Sequence, residues 1–325
     1  MPILSAEDRL TLLEPRDKPG VLPDDTMSEA GRKIFAFHCA RMISKEAGVR
    51  EGSDPKDVHD MRVATRRMRS AIPIFEDYYR GPMIKQARKM LRRVARALGD
   101  VRDVDVLRLK TTKYAEKYDQ NVHDGLQPLL DAWDQQQEAA RIELENLLDS
   151  ESFEQFLINF TQFLNTSQQD AVDNDPDVTE PLPMLVRTVV PRVLYEKLEA
   201  ARAYETILDN ATFDALHALR IKAKELRYAL EAFEEVLSQE SKTVIDAAKA
   251  LQDHLGELQD ARVATARMHN YLADADETQP MTVVLHYLAT RQAEKQKLRN
   301  EVNLSWRLFN RIEVRRALAN SIAAL

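Results

Sequence analysis

The side chains best suited to chemistry in this chain are cations at helical spacing. Between Asp57 and Phe75, His59, Arg62, Arg66 and Arg69 recur every three or four residues. On a helix turning about 100° per residue they gather within an arc of roughly 80°. Met61, Ala64, Met68, Ala71, Ile72 and Phe75 fall on the other side, the face such a helix turns to a core. Solvated faces normally mix signs, because like charges at i,i+4 repel. A purely cationic stripe is therefore read as a place for an anion, with Arg offering paired donors to phosphate oxygens.

The pattern returns in the second half. At an offset of 158 residues, His217 matches His59, Arg220 matches Arg62, Arg227 matches Arg69 and Lys224 stands where Arg66 was. Tyr228 adjoins this stripe, with Leu219, Leu226, Leu230 and Phe233 opposite. A further block follows each copy. Lys85, Arg88, Lys89, Arg92 and Arg96 lie on one side of the first, and Lys242 and Lys249 repeat it more sparsely at an offset of 157. Gly99 and Gly256 read as helix C-caps. Asp100, Asp103, Asp105, Glu257 and Asp260 then read as carboxylates placed at the start of the next helix, complementing its dipole. The chain thus carries an internal duplication, and both stripes are expected to line one groove or pore.

These blocks, HxxRVxxRRxR before LGxxRD and HxxRIxxKxLRY before LGxxQD, resemble the CHAD proteins, named for a conserved-histidine α-helical domain. The resemblance runs from about Ser28 to the C-terminus. It implies an all-helical domain with internal pseudo-two-fold symmetry, a basic central surface that binds inorganic polyphosphate, and an association with polyphosphate granules.

The elements that must position these residues read as all-α: two pseudo-two-fold-related helical bundles with about six helices per half. Only 8 glycines among 325 residues, 30% charged residues and long 3.6-period segments support that class, and 44% hydrophobic residues provide ample core. Residues 1–27, with Pro2, Pro15, Pro19 and Pro23, read as a flexible tail. Residues 28–167 form the first half, opening with a helix from Ser28 to about Gly48. Residues 168–183 read as an acidic linker and 184–325 as the second half, opening with a helix to about Leu208 and closing with helices over about Met281–Asn303 and Trp306–Ala323. Pro73 is expected to bend the first stripe helix or mark its last turn.

Net charge is −7, yet the charges are segregated. From His59 to Arg102 twelve basic residues face four acidic ones, a net of +8, whereas between Ala115 and Pro181 Lys117 and Arg141 are the only basic residues. Such polarity focuses a positive field in one region. The single Cys39 excludes an internal disulfide and fits a reducing compartment. With no signal core and no apolar run of about 18 residues, a cytoplasmic protein is expected.

Other chemistries find less support. Neither His59 nor His217 has a His, Cys or clustered carboxylate at ligand spacing, so contact with phosphate is preferred to metal binding. His38, His123, His254, His269 and His286 are left to packing or solvent. No phosphate loop, cofactor motif or nucleophile with base is present. A metal-dependent enzyme acting on polyphosphate or phosphoesters would have Asp103 and Asp260 as its seeds. A nucleic-acid binder would need exposed aromatics for base stacking, and only Tyr228 lies near a stripe.

Overall fold

The computed structural model describes residues 13, 16–52, 54–166, 170–172, 184–274 and 281–325. Most of the acidic linker lies outside these. The chain is all-helical, and among the described residues the only β pairing is two isolated bridges, Thr26 with Leu185 and Tyr79 with Ala171.

Helix α1 (Met27–Ile43) starts one residue before the expected Ser28, because Thr26 and Glu29 form a reciprocal cap: Glu29 N donates to Thr26 Oγ1 at 3.3 Å and Thr26 N to Glu29 Oε2 at 2.9 Å. A short α2 (Glu46–Glu51) follows, so the single helix expected to Gly48 is two. The first stripe lies on α3 (Pro55–Phe75), with Asp54 as N-cap and Pro73 in its last turn.

The next helix corrects the sequence reading most. Gly99 does not end it: α4 runs unbroken from Met83 to Ala115. α5 (Gln120–Leu148) and α6 (Glu151–Asn165) follow. After the linker, α7 (Val186–Arg202) gives way to a 3₁₀ segment, Ala203–Asn210, inside the span expected to be one helix. α8 (Phe213–Ala232) carries the second stripe, capped by Thr212. α9 (Ser241–Asp274) passes through Gly256 as α4 passes through Gly99. α10 (Thr282–Asn300), α11 (Val302–Phe309) and α12 (Ile312–Ile322) follow, the last two replacing one expected helix.

Both long helices continue because their apolar stripe does. On α4, Leu91, Val94, Leu98, Val101, Val104 and Leu107 are buried at three- and four-residue steps straight through Gly99. On α9, Leu251, Leu255, Leu258, Ala261 and Thr265 do the same. The far ends of these helices enter a second, smaller core with Leu126, Leu129 and Trp133 of α5 and Val284 and Tyr287 of α10. That burial outweighs the ~1 kcal/mol that each mid-helix glycine costs relative to alanine. It also removes the capping account of Asp100, Asp103, Asp105, Glu257 and Asp260, which stand in helix interiors.

The main core joins α1, α3, α4 and α6 to α7, α8 and α9, and α3 packs directly on α8. At that contact the rings of Phe75 and Phe233, both fully buried, lie 5.7 Å apart. Residues 20–26, read as part of the flexible tail, are docked. Gly20 N and Val21 N donate to Glu235 Oε2 at 2.8 and 3.1 Å, and Val21 is buried. Met27 N donates to Met184 O at 2.7 Å, Val186 N to Asp25 O at 3.0 Å and Arg187 N to Pro23 O at 3.0 Å. Among the described residues no helix is long and apolar enough to cross a membrane.

Candidate anion site

Between α3, α4, α7 and α8 lies a cleft of about 510 Å³ lined by Arg66, Arg69, Arg88, Arg92, Lys197 and Lys224, with Glu76 and Glu225 as its acids. It exists because α3 and α8 turn their apolar faces to the core, leaving Arg66, Arg69 and Lys224 outward beside the flank of α4. Arg88 pairs with Glu76, and Glu225 is held by Lys222 at 3.1 Å. Among the described residues Arg66, Arg69, Arg92 and Lys224 make no ion pair with a carboxylate.

Crowding leaves an electrostatic signature. Lys224 is pushed down to about 8, first by loss of hydration and then by the positive fields of Arg220, Arg69 and Arg66. Burial and neighbouring guanidiniums also work against the charges on Arg66 and Arg69. A pocket that holds cations at such cost favours any anion that arrives.

The other stripe residues are distributed more widely. The Tyr228 ring, 4% exposed, has the Arg66 guanidinium 5.3 Å from its centroid and that of Arg227 at 4.7 Å. Arg227 is itself only 8% exposed and pairs with Glu231 at 3.1 Å. The same carboxylate reaches Arg67 across the helix contact, at 3.0 Å. Arg227 is thereby committed to the protein.

Further along α3 and α8, Arg62 and Arg220 face Asp103 and Asp260. Both carboxyls are raised above the ordinary range, by lost hydration first; Arg62 and Arg267 pull Asp103 back, and Lys110, Arg220 and Arg62 pull Asp260 back. Each keeps open surface, so the lost hydration is that of a crowded concavity and not of a sealed interior. His59 and His217 are held below the usual imidazole value, again by lost hydration first, then Arg102 for one and Arg220 for the other. Among the described residues no three His, Cys, Asp or Glu side chains converge as a metal-ligand set.

Lys89 and Arg96 fall outside the cleft, with Arg92 and Arg93 in a groove between α4 and α5. Lys85 and Lys249 are exposed elsewhere, and Lys242 lines a different cavity with His38, Arg41 and Arg67. His38, 6% exposed, is driven down to about 3 by burial and by Arg67 and Arg41, so it stays neutral. Lys197 was missed by the sequence reading, since a single lysine on α7 carries no stripe.

Residues 33–269 match the family model described as CHAD domain. Two solved structures share the fold. The CHAD domain from the plant Ricinus communis superposes with a TM-score of 0.64 at 22% identity, covering 96% of this chain and 97% of that one. PptA from Streptomyces chartreusis superposes with a TM-score of 0.62 at 14% identity, covering 87% and 99%. No curated protein sequence matches this one. With a family match over most of its length on a fold of the same kind, the chain belongs to the CHAD domain family.

Proposed function

We propose that the cleft between α3, α4, α7 and α8 is a central basic groove that holds inorganic polyphosphate without cutting it. The observation that carries the reading is the convergence of Arg66, Arg69, Arg92 and Lys224, four cations with no carboxylate partner among the described residues, in a chain whose net charge is −7. Membership of the CHAD family agrees with it, since polyphosphate is the ligand that family resemblance implies. Each phosphate is met by guanidinium and ammonium donors, and Arg62, Arg220, His59 and His217 extend the basic surface along α3 and α8. The protein accompanies polyphosphate wherever it accumulates, granules included.

A phosphate polymer suits the cleft better than a nucleic acid, because no aromatic lines it on which a base could stack, and Tyr228 is buried. Titration with polyphosphate, single-stranded DNA and orthophosphate side by side tests the reading. Tight binding of polyphosphate alone, weakened by Arg69→Ala and Lys224→Ala, supports it; equal affinity for all three sinks it. Release of orthophosphate with Mg²⁺, abolished by Asp103→Asn or Asp260→Asn, would replace it with a metal-dependent enzyme.

A further inference from the structure

The cationic surface of α4 does not end at the cleft. Arg92 lines the cleft and also a groove of about 550 Å³ on the other flank of α4, between α4 and α5. There it is joined by Lys89, Arg93 and Arg96. Lys89 and Arg93 in turn line a smaller hollow of about 290 Å³ against α6, bordered by Gln155 and Asn159. Three hollows are thus strung around one helix, with a shared cation at each junction.

All four cations are exposed. Three or four residues apart on one helix, they repel one another. Relief is near, because Glu143 of α5 and Asp100 border the same groove, yet none of the four forms an ion pair among the described residues. Arg93 instead donates to Ser152 Oγ at 3.2 Å. A few turns on, Arg108 does pair with Asp134 of α5, so this helix pair makes salt bridges elsewhere. Of the two α4 cations that line the cleft, Arg88 is paired with Glu76 and Arg92 belongs to this unpaired run.

We propose that the groove between α4 and α5 is a second anion-binding segment, reached over Arg92, that takes the part of a polyphosphate chain too long for the cleft. This rests on the cleft being the polyphosphate site. It turns that site into a length sensor: short chains fill the cleft alone, whereas long ones cross α4 and add contacts to Arg93 and Arg96 at high effective concentration.

The test is calorimetric titration of three proteins, wild type, Arg93→Ala/Arg96→Ala and Lys224→Ala, with a chain of a few phosphates and one of a hundred or so. The Arg93/Arg96 double variant should bind the short chain as wild type does and the long chain about 5- to 30-fold more weakly. Its slope of log affinity against log salt for the long chain should be shallower by about 1.4, roughly 0.7 for each lost contact. Arg93→Lys/Arg96→Lys should restore both. If the double variant binds long chains as wild type does while Lys224→Ala weakens both lengths, the second segment is overturned and the cleft reading stands; its Ala97, Ala140 and Leu147 floor then suits an acidic protein segment better. If Lys224→Ala is silent at both lengths, the cleft reading itself fails.

Discussion

Arg67 of α3 and Glu231 of α8 form an ion pair of 3.0 Å across the contact between the two stripe helices, and the same carboxylate holds Arg227 at 3.1 Å. The position of Arg227 in sequence matches that of Arg69, but its surroundings differ. Arg69 lines the cleft with no carboxylate partner among the described residues, whereas Arg227 is paired with Glu231 and nearly buried. Equal spacing has therefore led to unequal surroundings. Glu231→Gln is expected to destabilise the protein by about 3 kcal/mol, since it strands a buried guanidinium. Thermal or urea unfolding measures it.

Arg227→Ala should then lower stability and change polyphosphate affinity little. Arg69→Ala should do the reverse, leaving the melting temperature near wild type and weakening binding severalfold. Paired melting and titration curves for the two variants check this, and a loss of binding with Arg227→Ala at unchanged stability would overturn the assignment.

Binding should be linked to protons through Lys224. In the free protein this amine titrates near 8, well below an ordinary lysine. A bound anion favours its charged form and raises that value, so binding takes up a proton around pH 8. Affinity should accordingly fall as pH rises through that region, and Lys224→Arg should flatten the profile. Stability follows the opposite trend. The unfolded chain binds the proton more tightly than the folded one, so unfolding free energy rises between about pH 8 and the ordinary lysine value. Titrations in buffers of different ionisation enthalpy read the proton uptake directly.

Three glycines should respond differently to alanine. At Gly99 the new methyl meets open space, so Gly99→Ala should stabilise by about 0.5–1 kcal/mol. At Gly256 it would stand 3.4 Å from Arg220 Nε, giving less gain and a shifted arginine. At Gly125 it would come within 2.7 Å of Val283, where α5 packs on α10, and Gly125→Ala should destabilise. Melting curves of the three rank them.

Phe75→Ala and Phe233→Ala should each cost about 3–5 kcal/mol as large buried truncations. Because the two rings touch, the double variant should lose less than the sum of the singles, by about 0.5–1.5 kcal/mol. Simple additivity would mean that the halves are stabilised independently.

Much of this was legible in the sequence for a definite reason. The stripes on α3 and α8 were readable because core-facing and outward residues largely segregate, with buried Arg227 the exception, and the cleft inherits Arg66, Arg69 and Lys224 from them. The cleft's other sides were harder to see. Lys197 comes from α7, far away in the chain, and nothing local marks it. The α4 cations appeared to be one stripe because a helical projection does not show that Arg88 and Arg96 fall on opposite flanks once α3 and α5 pack beside them. Gly99 and Gly256 misled because glycine was read as a stop while the buried spacing of Leu98, Val101 and Val104 ran on undisturbed. Periodicity across a glycine was the better guide.

The backbone pairing of residues 23–27 with Met184, Val186 and Arg187 has a topological consequence. The segment leading into α1 is clamped to the segment leading into α7, so α1–α6 and α7–α12 are sutured at their entrances by main-chain hydrogen bonds as well as by the α3 contact with α8. Covalent continuity between residues 173 and 183 is then redundant for holding them together. A chain severed there by an engineered protease site should migrate as one particle under native conditions and part only when denatured.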